Sequence, residues 1–323
     1  MIDCVPALDD VLDRLHVVAL PMRVRFRGIT VREVALIDGP AGWGEFGAFP
    51  EYEPPEASAW LAAAIEAAYR PAPVARRDRI PINATVPAVE PDQVPAVLAR
   101  FPGAGTAKVK VAEPGQTLAD DVARVNAVRE HVPVVRVDAN GGWSVPEAIS
   151  AAEALTADGA LEYLEQPCAT VEELAELRAQ VKVPIAADES IRKADDPLRV
   201  VALGAADVAV LKVAPLGGVA RMLDIAAQID MPIVVSSALD SAVGIGRGLL
   251  AAAALPELRH ACGLGTGGLF VEDVAEPRVP VDGCLTVSAV VPDPARLSTL
   301  AAPAPRRQWW IERVRACHPL ICA

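Results

Sequence analysis

The sequence predicts an α/β protein built around a closed barrel of parallel β-strands, with a separate α+β layer at the N-terminus. Short β-branched runs, apolar at nearly every position, recur through the middle of the chain, as is typical of parallel strands buried on both faces. Runs of helical period separate them, so eight strands and seven helices alternate about every 25 residues. An open, doubly wound sheet is the alternative that this alternation allows.

The predicted elements follow one another in a regular order. Two helices have clear start signals, because Ser144 and Thr170 each precede acidic residues in the position of an N-cap. Strands are expected at residues 80–86, 107–111, 134–137, 161–164, 185–187, 208–213, 233–236 and 260–262. Helices are expected at residues 93–99, 118–130, 146–157, 171–181, 196–203, 219–228 and 241–254.

The two ends of the chain do not fit the repeat. Residues 1–79 read as the separate α+β layer, with antiparallel strands near the start and an Ala-rich helix at 54–69. After the barrel, which we place at 80–268, a proline-rich segment at 269–302 is expected to return to that layer as irregular strands. The tail at 303–323 contains two adjacent tryptophans, which we interpret as a packing anchor.

Composition and charge exclude several classes of protein. Of the 323 residues, 52% are hydrophobic and 22% charged, which rules out general disorder. The net charge of −12, without a dense basic stripe, argues against a nucleic-acid-binding protein. There is no apolar stretch of about 18 residues and no basic secretory start, so we expect a cytoplasmic protein without membrane contact. Six scattered cysteines and four histidines argue against a zinc site. The oligomeric state stays open.

Acidic residues occupy the predicted C-terminal ends of three consecutive strands. Asp138, Glu165 and Asp188 follow apolar runs one repeat apart, and in a barrel such strand ends meet at one mouth. Three carboxylates at close range raise one another's pKa unless a cation neutralises them. Ligands that are all oxygen favour Mg²⁺, with Mn²⁺ as the second choice. The alternative is that each acid caps the helix that follows it.

Lysines stand on the strands on either side of these carboxylates. Lys108 and Lys110 are two positions apart on one strand and therefore point to the same face. Their repulsion is expected to lower the pKa of one of them toward neutrality, which would make it a usable base. Lys212 ends a strand across the mouth and would face the other side of a bound substrate. Solvated lysines on an exposed edge strand are the alternative, which applies only to an open sheet.

Five motifs in a fixed order resemble those of the enolase superfamily, in particular its muconate-lactonising-enzyme subgroup. They are Lys-x-Lys at 108–110, Asp-x-Asn at 138–140, Glu-Gln-Pro at 165–167, Asp-Glu-Ser at 188–190 and Lys212. The resemblance covers nearly the whole chain. It implies a (β/α)7β modified TIM barrel at residues 80–268, with an α+β capping domain built from residues 1–79 and 269–302.

Within that subgroup, the chain most resembles the family of o-succinylbenzoate synthases of menaquinone biosynthesis. The motifs are WGEF at 43–46, RVDAN at 136–140, EQPC at 165–168, ADES at 187–190 and CGLGT at 262–266. This family removes water from a cyclohexadiene carboxylate that bears a succinyl chain, which gives an aromatic ring. The same lysines would serve an N-succinylamino acid racemase or a dipeptide epimerase equally well. A barrel retained as a binding module is the non-enzymatic alternative.

The resemblance implies a role for each polar residue at the mouth. The three carboxylates would bind Mg²⁺, and Lys110 would remove the proton α to the substrate carboxylate and then help the hydroxide leave. Lys108 would tune Lys110, and Lys212 would stabilise the enediolate with its charge. The residues expected to support the ligands are Asn140, Glu189 and Ser190.

A glycine-rich loop near the end of the predicted barrel satisfies the dinucleotide-binding pattern, at Gly263, Gly265 and Gly268. It follows the last strand rather than the first and no clear helix comes after it, so we do not interpret it as a nucleotide site. Its backbone N–H groups are instead candidates for holding a substrate carboxylate. Ser236 and Ser237, at the end of the seventh strand, are candidates for the same task.

Two segments of the N-terminal layer are candidates for loops that close over the mouth, at residues 22–27 and 46–52. The first contains two arginines, and either Arg23 or Arg25 could meet the succinyl carboxylate of a substrate. A solvated strand face explains each arginine equally well.

Overall fold

The computed structural model describes residues 5–26, 28–192 and 196–321 of the chain. Residues 1–4, 27 and 322–323, which belong to the predicted capping layer and tail, lie outside the described residues. Arg27 of the predicted first loop is one of them. The strands are β1 (Leu15–Phe26), β2 (Ile29–Gly39), β3 (Gly42–Phe46), β4 (Arg79–Pro81), β5 (Ala84–Val86), β6 (Thr106–Lys110), β7 (Val134–Asp138), β8 (Leu164–Glu165), β9 (Ile185–Ala187), β10 (Val208–Leu211), β11 (Ile233–Val235) and β12 (Cys284–Thr286). The helices are α1 (Leu8–Asp13), α2 (Pro54–Tyr69), α3 (Val94–Leu98), α4 (Leu118–Arg129), α5 (Val145–Thr156), α6 (Val171–Arg178), α7 (Asp196–Ala202), α8 (Val219–Ala226), α9 (Ala242–Ala254), α10 (Pro294–Thr299) and α11 (Ala304–Cys317).

Seven strands, β5 to β11, form one sheet in which every neighbouring pair is parallel. Two parallel bridges join its edges, from Cys262 to Ile82 next to β5 and from Gly263 to Ser236 next to β11. The sheet therefore curls into the predicted barrel, with residues 262–263 in the place of an eighth strand. Because all strands run the same way, their C-terminal ends share one mouth.

The predicted first and last barrel strands are shorter than the sequence suggested. The apolar run at 80–86 is divided, since β4 pairs antiparallel with β12 and only β5 joins the barrel sheet. Pro81 explains the division, because proline has no N–H to donate in a central strand. The predicted strand at 260–262 is reduced to the two bridges described above. The predicted starts of α5 and α6, after Ser144 and Thr170, are confirmed.

The N-terminal layer consists of the antiparallel sheet β1–β2–β3, with α2 packed on it. The segment after the barrel pairs with β1 through bridges of Phe270 to Met22 and of Ala301 to Val18. Between these two bridges lie one short strand, β12, and the helix α10, where irregular strands alone were expected. The expected tail is largely the helix α11, whose Trp310 is 1% exposed and packs edge-on against Phe46, with 5.3 Å between the ring centroids.

Two further properties follow from the described residues. None of their helices combines the length and the apolar character needed to span a bilayer. The four cysteines that the structure describes are free thiols, at Cys168, Cys262, Cys284 and Cys317. The other two cysteines of the sequence lie outside the described residues.

Candidate active site

The barrel mouth brings the predicted lysines and carboxylates together. Register places Lys110 opposite Asp138 and Asp138 opposite Glu165, so three adjacent strands present charged side chains at the same level. Asp188 directly follows β9, and Lys212 directly follows β10. All of these side chains except the partly buried Lys110 are almost fully buried although they are charged, which requires that they neutralise one another.

Each carboxylate is paired with a lysine. The Nζ of Lys108 donates to Oε1 of Glu165 at 2.5 Å and lies 3.0 Å from Oδ2 of Asp138. The Nζ of Lys110 lies 2.5 Å from the same Asp138 oxygen. Across the mouth, Lys212 donates to both oxygens of Asp188. These ion pairs fill most of the mouth, and the pocket that remains there has a volume of about 30 Å³.

Burial and the ion pairs set the protonation of these groups. Burial alone would raise the pKa of Asp138, but Lys108 and Lys110 hold that pKa well below its usual range. Burial also opposes the effect of Lys212 on Asp188, whose pKa is nevertheless lowered. Burial, reinforced by the charge of Asp138, raises the pKa of Glu165 to about 8. The two aspartates are therefore ionised near neutral pH, whereas ionisation of Glu165 is less favourable and depends on the charge of Lys108 beside it.

The lysines differ from what their spacing alone suggested. Burial would lower the pKa of Lys108, but Asp138 and Glu165 raise it well above the usual lysine value. The nearby carboxylates therefore outweigh the repulsion between Lys108 and the second ammonium group, and Lys108 is not the lysine that loses basicity. Burial lowers the pKa of Lys212, despite its contact with Asp188.

The chemistry of the carboxylate group suits a hard cation, but its present arrangement is closed by the lysines. The Oε2 atom of Glu165 is buried and has no hydrogen-bond partner among the described residues. An oxygen in this state gains from a cation or a donor. In the part of the chain that the structure describes, no three acidic, His or Cys side chains are placed to hold a metal ion as they stand. The ammonium group of Lys108 lies between the oxygens of Asp138 and Glu165 instead.

Gln166 fixes the position of the strand end that carries Asp188. It is fully buried, and its Oε1 accepts hydrogen bonds from the backbone N–H groups of Asp188 at 3.0 Å and Ser190 at 3.1 Å. Its Nε2 donates to the hydroxyl of Ser190 at 2.7 Å and to the carbonyl of Cys168 at 2.9 Å. The predicted supporting residue Ser190 is thus held in place by Gln166. Gln166 belongs to the Glu-Gln-Pro motif at 165–167, but the motif alone does not indicate this role.

A chain of polar contacts runs from Lys110 to the N-terminal layer. The Nζ of Lys110 donates to Asn140 at 2.6 Å, and the side-chain amide of Asn140 donates to Glu189 at 3.0 Å. Arg192 donates to Glu189 at 2.5 Å and to the hydroxyl of Tyr52 at 2.8 Å. Asn140 and Glu189, both predicted supporting residues, therefore link the mouth to the second of the two predicted loops.

Sequence reasoning missed Arg192, which lines the pocket and lies 3.8 Å from Oδ2 of Asp188. A signal was present, because Arg192 follows Asp188 by four residues and Glu189 by three, the spacings of neighbours on one helical turn. The short 3₁₀ turn at Glu189–Ile191 provides that geometry. Burial opposes ionisation, but Asp188 and Glu189 keep the pKa of Arg192 above its usual range.

The far wall of the pocket contains Ser236, Ser237, Gly263 and Thr266. The hydroxyls of Ser237 and Thr266 are 2.7 Å apart. A side chain at Gly263 would displace the hydroxyl of Ser236, since an added Cβ would lie 2.5 Å from its Oγ. Two of the predicted substrate contacts, Ser236 and Gly263, therefore do lie at the mouth.

The other two predicted substrate contacts, Arg23 and Gly265, do not line the pocket at the mouth. Both line a different cavity, and the guanidinium group of Arg23 donates to the carbonyl of Val271 at 3.3 Å. The reason is that this part of the expected loop is the end of β1, which pairs with the segment after the barrel. Arg192 is the arginine that the structure places beside the lysines.

Comparisons with known proteins agree with this geometry. Residues 96–293 match the model of enolase C-terminal domain-like proteins, and residues 17–68 match the enolase N-terminal domain-like model. Among solved structures, muconate lactonizing enzyme from Pseudomonas fluorescens superposes with a TM-score of 0.76 at 21% identity, over 90% of this chain and 98% of that one. The N-succinyl Arg/Lys racemase from Bacillus cereus superposes with a TM-score of 0.74 at 17% identity, over 90% and 97%. These two likenesses concern the fold.

Closer relatives come from mycobacteria. The chain is 85% identical to the o-succinylbenzoate synthase of Mycolicibacterium smegmatis, over 99% of this chain and 100% of that one. It is 74% identical to the o-succinylbenzoate synthase of Mycobacterium tuberculosis, over 99% and 98%. The chain therefore belongs to the enolase superfamily and, within it, to the family of the o-succinylbenzoate synthases.

Proposed function

We propose that this protein is an o-succinylbenzoate synthase, which converts 2-succinyl-6-hydroxy-2,4-cyclohexadiene-1-carboxylate to o-succinylbenzoate and water. The observation that carries the proposal is the convergence of three lysine–carboxylate pairs at one barrel mouth, in a chain 74–85% identical to synthases over nearly its full length. The partner is thus a small carboxylate. The predicted cytoplasmic location stays a prediction, and so does the division at residues 79, 268 and 302.

Lys110 is the proposed base. Its Nζ would take the proton α to the ring carboxylate and then donate a proton to the departing hydroxyl group. The hydroxyl group and this proton leave together as one water molecule. The contacts of Lys110 with Asp138 and Asn140 hold this nitrogen at the mouth. Lys108 lies beside it and would adjust its charge, and Lys212 would face the ring from the opposite side.

Asp138, Glu165 and Asp188 are proposed to hold a divalent cation, Mg²⁺ by preference and Mn²⁺ as the alternative. The unpartnered Oε2 of Glu165 and the all-carboxylate donor set fit such an ion. When bound, the cation would neutralise the second negative charge that develops on the substrate carboxylate as its α-proton leaves. Lys108 must then give up its contacts with the two oxygens that it now bridges.

The test is an ultraviolet assay that follows the cyclohexadiene as it becomes aromatic. Lys110→Ala should lower kcat by about 10²–10⁴-fold, since a positioned acid–base group contributes that much. Lys182→Ala, at an exposed lysine, is the matched control and should keep full activity. Circular dichroism of each variant checks the fold. A Lys110→Ala enzyme that retains more than a tenth of the wild-type kcat would remove the base assignment.

The metal assignment has a separate test. A chelator should abolish turnover, and added Mg²⁺ should restore it. Asp188→Asn removes one negative charge from the ligand set, so it should weaken Mg²⁺ binding in a calorimetric titration by about tenfold or more. An unchanged titration would contradict the proposed ligands.

The racemase alternative is not favoured, because the relatives at 74–85% identity are synthases and the racemase neighbour is only 17% identical. An assay with N-succinyl amino acids in D₂O should show no exchange of the α-proton. Exchange at both enantiomers would support racemisation, and metal binding without any proton exchange would favour a binding module.

A further inference from the structure

A second cavity, of about 250 Å³, lies on the side of the barrel rather than at its mouth. A full (β/α) barrel has a helix after every strand, but between residues 262–263 and β12 the structure has a short 3₁₀ turn at Thr266–Leu269 in place of such a helix. The cavity occupies the gap that this leaves between α9 and the turn after α3. The segment 270–280 forms its outer wall.

This cavity is separate from the mouth. The two share no lining residue, although the glycine-rich loop contributes to both. Gly263 and Thr266 face the lysines, whereas Gly265, Gly267 and Gly268 line the second cavity. Its occupant would therefore not contact the reacting atoms.

The inner wall of the cavity is apolar and suits a ring or a short hydrocarbon chain. It includes one aromatic and two aliphatic side chains that are almost fully buried, Phe101, Ile245 and Leu264, together with Phe270 from the outer wall. Ligand sites typically combine such a wall with a few polar groups that fix the orientation.

Three arginines supply the polar groups. Arg23, Arg100 and Arg278 all line the cavity, and none of them forms an ion pair within the described residues. Arg23 and Arg278 donate only to neutral groups, chiefly backbone carbonyls. Of the two acids in the lining, Asp273 accepts from the backbone N–H of Ala242 at the start of α9 and from its neighbour Val274, which leaves Glu272 against three positive charges.

Arg100 is the decisive group. Its Nη1 is buried and has no hydrogen-bond partner among the described residues. A buried guanidinium N–H without an acceptor is costly, and a carboxylate is the acceptor that matches it best in charge and geometry.

We propose that this cavity binds a small carboxylate with an apolar ring or chain, its carboxylate on Arg100 and its body against Phe101, Ile245 and Leu264. The site is independent of the reaction at the mouth. Its ligand is defined by a single negative charge on one end of an apolar body that fits within about 250 Å³.

Benzoate, titrated into the magnesium-loaded protein by calorimetry, is the probe, and benzamide is its neutral counterpart of nearly the same shape. Arg100→Gln should weaken benzoate binding by about tenfold or more, as expected for the loss of a charge-assisted hydrogen bond. Arg307→Gln, at an exposed arginine of α11, is the matched control and should bind benzoate like the wild type. Benzamide should bind at least about tenfold more weakly than benzoate to the wild type.

A second variant fills the cavity without touching the arginine. An added Cβ at Gly267 meets no atom within 4 Å, so Gly267→Phe should fold and block benzoate binding. Lys110→Ala should leave benzoate binding unchanged, which separates this site from the mouth whatever reaction occurs there. The proposal is wrong if benzoate does not bind, if Arg100→Gln binds it like the wild type, or if only Lys110→Ala loses it.

Discussion

At the scale of single residues, the mouth depends on a buried side chain that carries no charge. Gln166 accepts the N–H groups of Asp188 and Ser190 and donates to Cys168 and the Ser190 hydroxyl, so it joins the ends of two strands. Its backbone has a φ of 39°, a left-handed conformation that non-glycine residues adopt only when their contacts enforce it.

Gln166→Ala should therefore destabilise the fold. The change leaves two buried N–H groups and a carbonyl without partners, which should lower the free energy of unfolding by roughly 2–4 kcal/mol. Urea denaturation measures this value. Gln308→Ala, at an exposed position of α11 where the side chain donates a hydrogen bond to Glu312, should change it by less than about 0.5 kcal/mol. Equal stability of the two variants would contradict the role of Gln166.

The sequence predicts which residues lie at the mouth, but it does not predict as well which side chains these residues contact. Lys108, Lys110 and Asp138 could be placed because strand ends and alternation follow from the apolar pattern. The contact of Lys108 with Glu165 could not be predicted, because the two residues are 57 positions apart and meet only through the register of the barrel strands. Asp138, together with this Glu165 contact, is why the pKa of Lys108 rises rather than falls.

At the scale of secondary-structure elements, the N-terminus of α9 joins the two layers of the molecule. Glu45 of β3 accepts hydrogen bonds from the Ser241 hydroxyl at 2.5 Å and from the N–H of Gly244 at 3.0 Å. Asp273, after the barrel, accepts from the N–H of Ala242 at 2.9 Å. Both carboxylates lie at the positive end of a helix dipole, which favours negative charge there.

This joint should make stability depend on pH. Burial, with the charge of Asp240 adding to it, raises the pKa of Glu45 from 4.5 to about 7. The folded protein therefore holds this proton more tightly than the unfolded chain, and stability falls as pH rises from about 4.5 to 7. The shift corresponds to roughly 3 kcal/mol. We expect the unfolding free energy of the wild type, minus that of Glu45→Gln, to decrease by about this amount over that range.

Urea denaturation at a series of pH values from 4.5 to 8 measures that difference. Glu51→Gln, at an exposed glutamate of the same layer, is the control and should follow the wild type throughout. A difference between wild type and Glu45→Gln that stays constant with pH would show that the carboxyl of Glu45 does not titrate in this way.

The sequence predicts long elements better than short ones. The helix expected at 241–254 is α9 almost residue for residue, because thirteen helical residues give a clear pattern. The three-residue strands β4 and β5 could not be told apart, since both lie within one apolar run and differ only in their partners. Those partners, β12 and β6, are chosen by tertiary packing rather than by local sequence.

At the scale of the whole molecule, one line of contacts connects the C-terminal helix with the lysines. Arg313 of α11 donates to the carbonyl groups of Phe49 at 2.7 Å and Tyr52 at 2.6 Å, and so holds the segment at 46–52 in place. The hydroxyl of Tyr52 then accepts from Arg192, which continues through Glu189 and Asn140 to Lys110. The tail that the sequence identified only as a packing anchor thus supports a segment that contacts the mouth through Arg192.

Removing one oxygen from this line tests whether the capping layer positions the mouth. Tyr52→Phe deletes the acceptor of Arg192 while keeping the ring, so Arg192 and Glu189 lose part of their alignment beside Asp188 and Asn140. A hydrogen bond to a charged group is worth about 1.5–3 kcal/mol, so kcat/KM should fall by roughly tenfold or more. The control, Tyr69→Phe, removes an equivalent hydroxyl group, which lies 2.6 Å from Asp10. Because that contact lies wholly within the N-terminal layer, kcat/KM of this variant should stay within about twofold of the wild-type value. Equal kinetic losses in the two variants would mean that the layer acts through general stability rather than through this line of contacts.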